Sequence, residues 1–328
     1  MTSSDTTSSA PLHRQFLSVN LRDVLSAADV CTFFMLGLNI MIGIATYTAV
    51  PMSGTIVLVN IMILFGVVGL IVADTIGAGT LILLARRFYL IVLVPTIYEQ
   101  TLTFLPAINS HDVDTALIAI DYALIGSWAG NHPTHILMNI MHPILTEYLQ
   151  LTYMLFFFLP MMQGVELVRS KRDRDVLYFA YTIGFGFFIS YLLYYIAPAV
   201  GPRFTLHAFE QLSQEMPGVW LTDFFRTVVN AGAGLKSNAP NPADIVHRDC
   251  MPSGHTMMTL VNIFLAFKYQ SRLRWFFVVV GGSLIFATVY LRYHYVIDVL
   301  AGIVCAVVVY WLAPRFRLWL YRQGFPSA

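Results

Sequence analysis

The chain has 328 residues, of which 57% are hydrophobic and 11% are charged, and its mean hydropathy is +0.69. This composition excludes a soluble globular domain and predicts a polytopic membrane protein. The formal net charge is +1, so bulk charge argues against a nucleic-acid partner. Three scattered cysteines, Cys31, Cys250 and Cys305, form neither a disulfide framework nor the spacing of a metal site.

The first 24 residues are polar and rich in serine and threonine, and they become mildly amphipathic towards their end. They contain no short apolar run followed by small residues, so we expect no cleaved signal peptide. We predict that residues 1–29 form a cytosolic tail and an interfacial segment.

Apolar segments long enough to cross a membrane, about 20 residues each, follow this tail. They are residues 30–49, 54–73, 88–107, 143–163, 177–198, 255–269, 274–292 and 297–315. The chain is therefore predicted to be all-α, a bundle of about eight transmembrane helices. The stretch 74–87 is interrupted by Asp74 and Gly77-Ala78-Gly79, which is compatible with a re-entrant or interfacial piece over residues 76–85.

The basic residues are distributed unevenly along this predicted topology. With a cytosolic N-terminus, all but five of the 19 basic residues fall on the cytosolic side, the exceptions being Arg203, Arg226, Lys236, Arg248 and Arg292. Because cytosolic loops carry an excess of lysine and arginine, both termini are predicted to be cytosolic.

Two long segments on the opposite side, residues 108–142 and 204–247, mix polar residues with tryptophan and phenylalanine. Such stretches usually lie in the membrane interface, where they either guide a lipid headgroup or rest without touching substrate. His132 and His135 are spaced as a metal pair, but no nearby carboxylate or cysteine completes a ligand set, so we expect no metal site.

The segment from Arg248 to His255 opens an apolar helix. Pro252 suits the start of a helix, Ser253 is a favoured N-cap, and Gly254 lets backbone approach a ligand closely. The free N–H groups of a first helical turn bind an oxyanion well, and His255 beside that anion can protonate a leaving oxygen. The alternative is an ordinary helix cap with a surface histidine.

A second polar segment, Arg292 to Asp298, opens the last predicted helix. His294 and Asp298 are four residues apart and therefore share one helix face. A carboxylate hydrogen-bonded to one ring nitrogen makes the other a better nucleophile. The alternative is a polar pair that satisfies itself at the lipid–water boundary.

These segments resemble the motifs of the type-2 phosphatidic acid phosphatase superfamily, which are Lys-x6-Arg-Pro, Pro-Ser-Gly-His and Ser-Arg-x5-His-x3-Asp. The second motif is intact at Pro252 to His255, and the third keeps His294 and Asp298. The first is degraded, since Ile196 replaces its lysine and no proline follows Arg203. The Ser-Arg of the third falls on Ala287-Thr288. The resemblance covers roughly residues 85–315.

The resemblance implies two accessory helices over residues 30–75 and a six-helix phosphatase core within residues 76–328. It implies metal-independent chemistry without a cofactor, in which His294, oriented by Asp298, attacks phosphorus and His255 protonates the leaving oxygen. The residues expected to hold the phosphate oxygens are Arg203, Ser253, Gly254, Arg292 and Arg248.

The predicted function is hydrolysis of a lipid phosphate monoester or pyrophosphate, on the non-cytosolic face of the bilayer. A phosphotransferase that passes a phosphoryl-headgroup to a lipid alcohol uses the same site and remains an alternative. A third hypothesis is a transporter or scramblase in which the site only binds lipid; no paired repeats with broken helices support it.

Overall fold

The computed structural model describes residues 24–77, 79–235 and 241–326, so most of the predicted tail lies outside the described residues. Across these ranges the regular secondary structure is helical, apart from an isolated parallel bridge between Ala199 and Asp249. The predicted all-α class is confirmed.

Eleven helices of eight or more residues occur in the described ranges. They are α1 (Ala27–Ala45), α2 (Ser53–Thr75), α3 (Thr80–Ile108), α4 (Asp114–Asp121), α5 (Pro143–Met154), α6 (Phe158–Arg169), α7 (Asp173–Tyr194), α8 (Thr222–Gly232), α9 (Gly254–Lys268), α10 (Arg274–Tyr290) and α11 (Val296–Arg322). A π-helical segment, Tyr122–Gly126, continues α4. Shorter helical turns are Ser127–Ala129, Pro133–Ile136, Leu137–Ile140, Pro202–Thr205, Phe209–Gln211, Leu212–Glu215 and Pro242–Ile245.

Each of the eight predicted apolar segments contains helix, but the segment 143–163 is divided between α5 and α6, and the helices differ in length. Among the described residues, α1, α2, α3, α7 and α11 are long and apolar enough to cross a membrane. The pair α5 and α6, bent by 52°, makes a sixth span if it is counted as one. With 15 and 17 residues, α9 and α10 fall short of the roughly 20 residues of a full crossing.

Residues 80–85, within the stretch for which a re-entrant or interfacial piece was considered, are the first residues of the continuous helix α3. Gly79 adopts a left-handed φ of 105° and ends the turn after α2, and α3 then runs unbroken for 29 residues. Arg86, near the start of α3, pairs with Asp29, and Arg87 lies 3.0 Å from Asp173. These ion pairs hold the first turns of α3 as part of the bundle.

The helices α7, α9 and α11 form the centre of the bundle, with α3 packed on α7 and α10 packed on α9. The accessory helices α1 and α2 pack on each other and on α3. At Gly302 of α11, an added Cβ would lie 2.7 Å from the Ser253 carbonyl oxygen. Glycine at this position therefore lets α11 lie directly against the start of α9.

The two ends of the bundle differ in chemistry. One end carries Arg86 and Arg87, and here the Lys268 ammonium lies 3.8 Å from the centre of the Tyr178 ring. The other end holds the starts of α9 and α11. Tyr98 of α3 reaches that end, about 18 Å further along the helix than Arg86.

Candidate active site

The second and third motifs meet because they begin two helices that pack together. Ser253 is the N-cap of α9, and its Oγ accepts the Thr256 N–H at 3.2 Å. Its own N–H donates to the Asp298 carbonyl oxygen at 3.0 Å. Asp298, in the first turn of α11, accepts the Tyr295 N–H at 2.8 Å as the acidic partner of a capping box. Helix capping thus fixes both motifs relative to each other.

The two histidines of these motifs face each other. Nε2 of His294 lies 3.5 Å from Nδ1 of His255. Nδ1 of His294 lies 2.8 Å from the Cys250 carbonyl oxygen, which can only accept a hydrogen bond. This nitrogen therefore carries the ring proton in the hydrogen-bond network, and the lone pair of Nε2 points towards His255. Tyr153 and Phe156 pack on the ring of His255 at centroid distances of 4.5 and 4.3 Å.

Asp298 is fully buried beside this pair, but it is not the nearest partner of His294. Its Oδ2 lies 3.5 Å from His294 Nδ1, further than the Cys250 carbonyl. The reason is that Oδ2 also accepts the Cys250 thiol at 2.8 Å and the Tyr295 N–H. Burial, with Asp298 beside it, raises the pKa of the Cys250 thiol well above its ordinary value. Cys250 therefore stays a protonated hydrogen-bond donor.

A cavity of about 310 Å³ opens in front of the histidine pair. Its wall is mostly aromatic and apolar, and includes Tyr98, Tyr153, Phe156, Phe157, Phe187, Tyr191, Tyr194, Val228 and Val229. Gly254 also lines it, and an added Cβ there would lie 2.5 Å from the Tyr194 hydroxyl. Such a cavity suits the apolar part of a lipid next to a reactive polar group.

One wall of the cavity is formed by the amphipathic helix α8, which contributes Val228 and Val229. The start of α8 is held by Glu147 of α5, whose carboxylate accepts N–H groups from residues 219–222 and the Thr222 hydroxyl. Trp220 and Phe224 stay exposed nearby. The described part of the 204–247 segment therefore covers the cavity and presents aromatic rings outward.

Arg203 is the predicted phosphate ligand whose side chain lines this cavity. Its guanidinium lies over the rings of Phe204 and Tyr293, at 4.7 and 5.0 Å, and donates to the side-chain Oδ1 of Asn230 at 2.9 Å. This geometry leaves further donors for a phosphate oxygen.

The structure does not bring the other two predicted arginines to the cavity. Arg292 is fully buried, has a φ of 64° and pairs with Glu215, while Arg248 donates to Asp112 at 2.9 Å. Neither lines the cavity wall, and neither does the buried Ser253, whose hydroxyl caps α9. The geometry therefore does not support direct phosphate contacts by these three side chains.

Two aspartates of α4, which belong to none of the three motifs, organise the site. Asp114 accepts the Val200 and Gly201 N–H groups at 2.9 Å each and the Tyr295 hydroxyl at 2.8 Å. Asp121 accepts the N–H groups of residues 296 and 297 at 2.8 Å each. Asp114 and Asp121 are seven residues apart, and this spacing, which places both on one helix face, is the sequence feature that indicates a shared role.

The structure also shows where metal-ligating side chains gather. Within the described ranges, ligand atoms of Cys250, His294 and Asp298 lie within 4.8 Å of one another. The Cys250 thiol donates to Oδ2 of Asp298, and Nδ1 of His294 bonds to the Cys250 carbonyl oxygen, so these ligand atoms are engaged in hydrogen bonds. His135 instead stacks its ring on His207, with centroids 4.3 Å apart.

Comparison with known proteins gives one result. A model of the PAP2 superfamily matches residues 115–312, a range that contains both histidines, Asp298, Arg203 and α8. The helices α1, α2 and α3 lie outside the match. A comparison with curated proteins gives no significant match, and a comparison with solved structures gives none either.

Proposed function

The chain belongs to the PAP2 superfamily, and from this premise we propose that it is a lipid phosphatase acting through a phosphohistidine at His294. Its substrate is a lipid phosphate monoester or pyrophosphate. The observation that carries the proposal is the 3.5 Å approach of His294 Nε2 to His255 Nδ1 at the wall of an apolar cavity.

In the first step, the Nε2 lone pair of His294 attacks phosphorus, and the bond from phosphorus to the lipid oxygen breaks. His255, which takes up a proton when the negatively charged phosphate binds beside it, gives that proton to the leaving oxygen. The Nδ1–H of His294 stays on the Cys250 carbonyl while the ring gains positive charge. Asp298, 3.5 Å away, stabilises this charge because it is buried in a medium of low dielectric constant.

In the second step, neutral His255 takes a proton from water, the water oxygen attacks phosphorus, and the bond to His294 breaks. The charge on the transferring phosphoryl group lies on its equatorial oxygens. We assign their stabilisation to Arg203 and to the backbone around Gly254, both of which line the cavity.

A direct test is phosphate release by detergent-purified protein from a panel of lipid phosphates in the presence of EDTA. We expect wild-type release and background release from His294→Ala. The matched control is His111→Ala, because His111 is exposed and lies outside the cavity wall. Release from His294→Ala near the wild-type rate would remove the nucleophile assignment.

The aromatic cavity wall also favours a second candidate, a lipid phosphotransferase with the same histidine pair. A wall of this kind limits water beside the phosphohistidine and offers a surface for a second lipid. Here a lipid alcohol replaces water in the second step. Adding ceramide or diacylglycerol should then yield a new phospholipid. Release of free phosphate without a new phospholipid would exclude the phosphotransferase and favour the phosphatase.

A further inference from the structure

The cavity has a second polar group that the proposed chemistry does not use. Among the described residues that line the cavity, Asp249 is the one with a carboxylate side chain. The Tyr98 hydroxyl donates to its Oδ2 at 2.5 Å. No side chain or backbone group of the described residues donates a hydrogen bond to the other oxygen, Oδ1.

The backbone fixes where this carboxylate lies. Asp249 forms the isolated bridge with Ala199, in which the Cys250 N–H donates to the Ala199 carbonyl oxygen at 3.2 Å. The bridge joins the segment that carries Arg203 to the segment that carries His255. Asp249 also directly precedes Cys250, whose carbonyl oxygen bonds His294. Its position is therefore set by the same contacts that build the reactive centre.

The carboxylate of Asp249 requires an explanation, because a cavity that binds a negatively charged phosphate is expected to carry positive rather than negative groups. Asp249 repels the phosphate oxygens, and it can only accept hydrogen bonds. A substrate without a hydrogen-bond donor near its phosphate gains nothing from it. A substrate that presents an O–H or N–H group there gains a charge-assisted hydrogen bond.

Tyr98 by itself does not account for the arrangement. Its hydroxyl satisfies one carboxylate oxygen, and its ring is held by Tyr191 and His247 at centroid distances of 5.6 and 5.8 Å. His247 also lines the cavity, and its Nδ1 is buried without a partner among the described residues. This part of the wall therefore has two polar atoms that can each form a further hydrogen bond, Oδ1 of Asp249 and Nδ1 of His247.

We propose that Asp249, held by Tyr98, forms a subsite for a hydrogen-bond-donating group, a hydroxyl or an amine, close to the phosphate of the lipid. The inference rests on the proposed function and narrows its substrate class. Lipid phosphates with a free donor beside the phosphate are preferred over diacylated or isoprenyl phosphates, which lack one.

The test compares two substrates that differ in one group, 1-acyl-glycerol 3-phosphate and its 2-O-methyl ether. The wild-type enzyme should favour the free hydroxyl in kcat/KM by about 10- to 100-fold, the range of one hydrogen bond to a charged group. In Asp249→Asn and Tyr98→Phe this ratio should fall towards one. Asp244→Asn, a change of the same chemistry on an exposed residue, should keep the wild-type ratio.

The ratio is measured on one enzyme preparation, so it does not depend on how much of a variant folds. Equal kcat/KM for both substrates in the wild type would overturn the subsite, and so would an unchanged ratio in both cavity variants. No phosphate release from either substrate, with release from another lipid phosphate of the panel, would overturn the subsite alone, whereas no release from any lipid phosphate would overturn the proposed phosphatase function.

Discussion

The Cys250 carbonyl oxygen, 2.8 Å from Nδ1 of His294, determines which ring nitrogen is free for chemistry. The other nitrogen, Nε2, lies beside His255, and we propose it as the nucleophile with His255 as the acid. We predict that His255→Ala lowers kcat by about 100- to 10,000-fold on a lipid phosphate, the usual contribution of a general acid. On p-nitrophenyl phosphate, whose leaving group needs no proton, the loss should be much smaller. Equal losses on both substrates would argue against an acid role.

The thiol of Cys250 supports the same pair as a donor to Asp298. Because burial raises its pKa well above the ordinary value, the thiol stays protonated when the pH rises through 8.5, where a free cysteine ionises. We expect no alkylation of Cys250 by iodoacetamide in the folded protein at pH 8.5, as measured by mass spectrometry of peptides. Protein unfolded in dodecyl sulfate is the control and should react fully. Alkylation at the same rate in both states would contradict this account.

Local motifs contain the proposed reactive residues, whereas partners distant in the sequence determine where the side chains of Arg292 and Arg248 lie. His255, His294 and Asp298 lie in short segments whose own spacing indicates their chemistry. The side chain of Arg292 turns to Glu215, and that of Arg248 turns to Asp112. These partners are 77 and 136 residues away in the sequence, so no local pattern reveals them.

At the scale of secondary-structure elements, α4 forms hydrogen bonds with the segments that carry Arg203 and the proposed reactive His294. Asp121 caps the start of α11 by accepting two backbone N–H groups. We predict that Asp121→Ala destabilises the protein by about 1–3 kcal/mol, since it leaves buried donors unpaired. Thermal unfolding in detergent measures the change, with Asp244→Ala as the exposed control. An unchanged unfolding temperature would show that α11 does not depend on this cap.

The burial of His207 against Thr134 is expected to make the stability of the folded protein depend on pH. His207 bonds to the Thr134 hydroxyl at 2.9 Å, and burial, with Arg292 as the next cause, lowers the pKa of His207 to about 3. An unfolded histidine titrates near pH 6.5, so the unfolded state binds the proton first and stability falls as pH drops from about 6.5 towards 3. The unfolding temperature of His207→Gln should fall less between pH 7 and pH 4.5 than that of the wild type. The same fall as in His111→Gln, the exposed control, would contradict the assignment.

Helix positions were well predicted because long apolar runs have few alternatives. The exceptions depend on other parts of the fold. The start of α3 at Thr80 could not be placed from the sequence, because the glycines before it indicate a break and its ion pairs with Asp29 and Asp173 are long-range. The cavity wall formed by α8 depends on Glu147, which lies within a different predicted span.

For the whole molecule, the separation of a basic end from the histidine end bears on how the protein sits in the bilayer. We propose that the basic end is cytosolic and that the cavity opens on the opposite side, as the positive-inside rule predicts. Single-cysteine variants Ser170→Cys, at the basic end, and Asn131→Cys, at the other, can be treated with a membrane-impermeant thiol reagent in intact cells. Asn131→Cys should react and Ser170→Cys should react only after lysis. The reverse order would invert the proposed topology.

The most direct test of the central claim is to trap the covalent intermediate. Rapid quenching after mixing the enzyme with a lipid carrying labelled phosphate should give a phosphoprotein that is labile in acid and stable in base. We expect the label on His294 in the wild type and in His111→Ala, and no label in His294→Ala. A label that survives in His294→Ala, or turnover without any phosphoprotein in the wild type, would contradict the central claim.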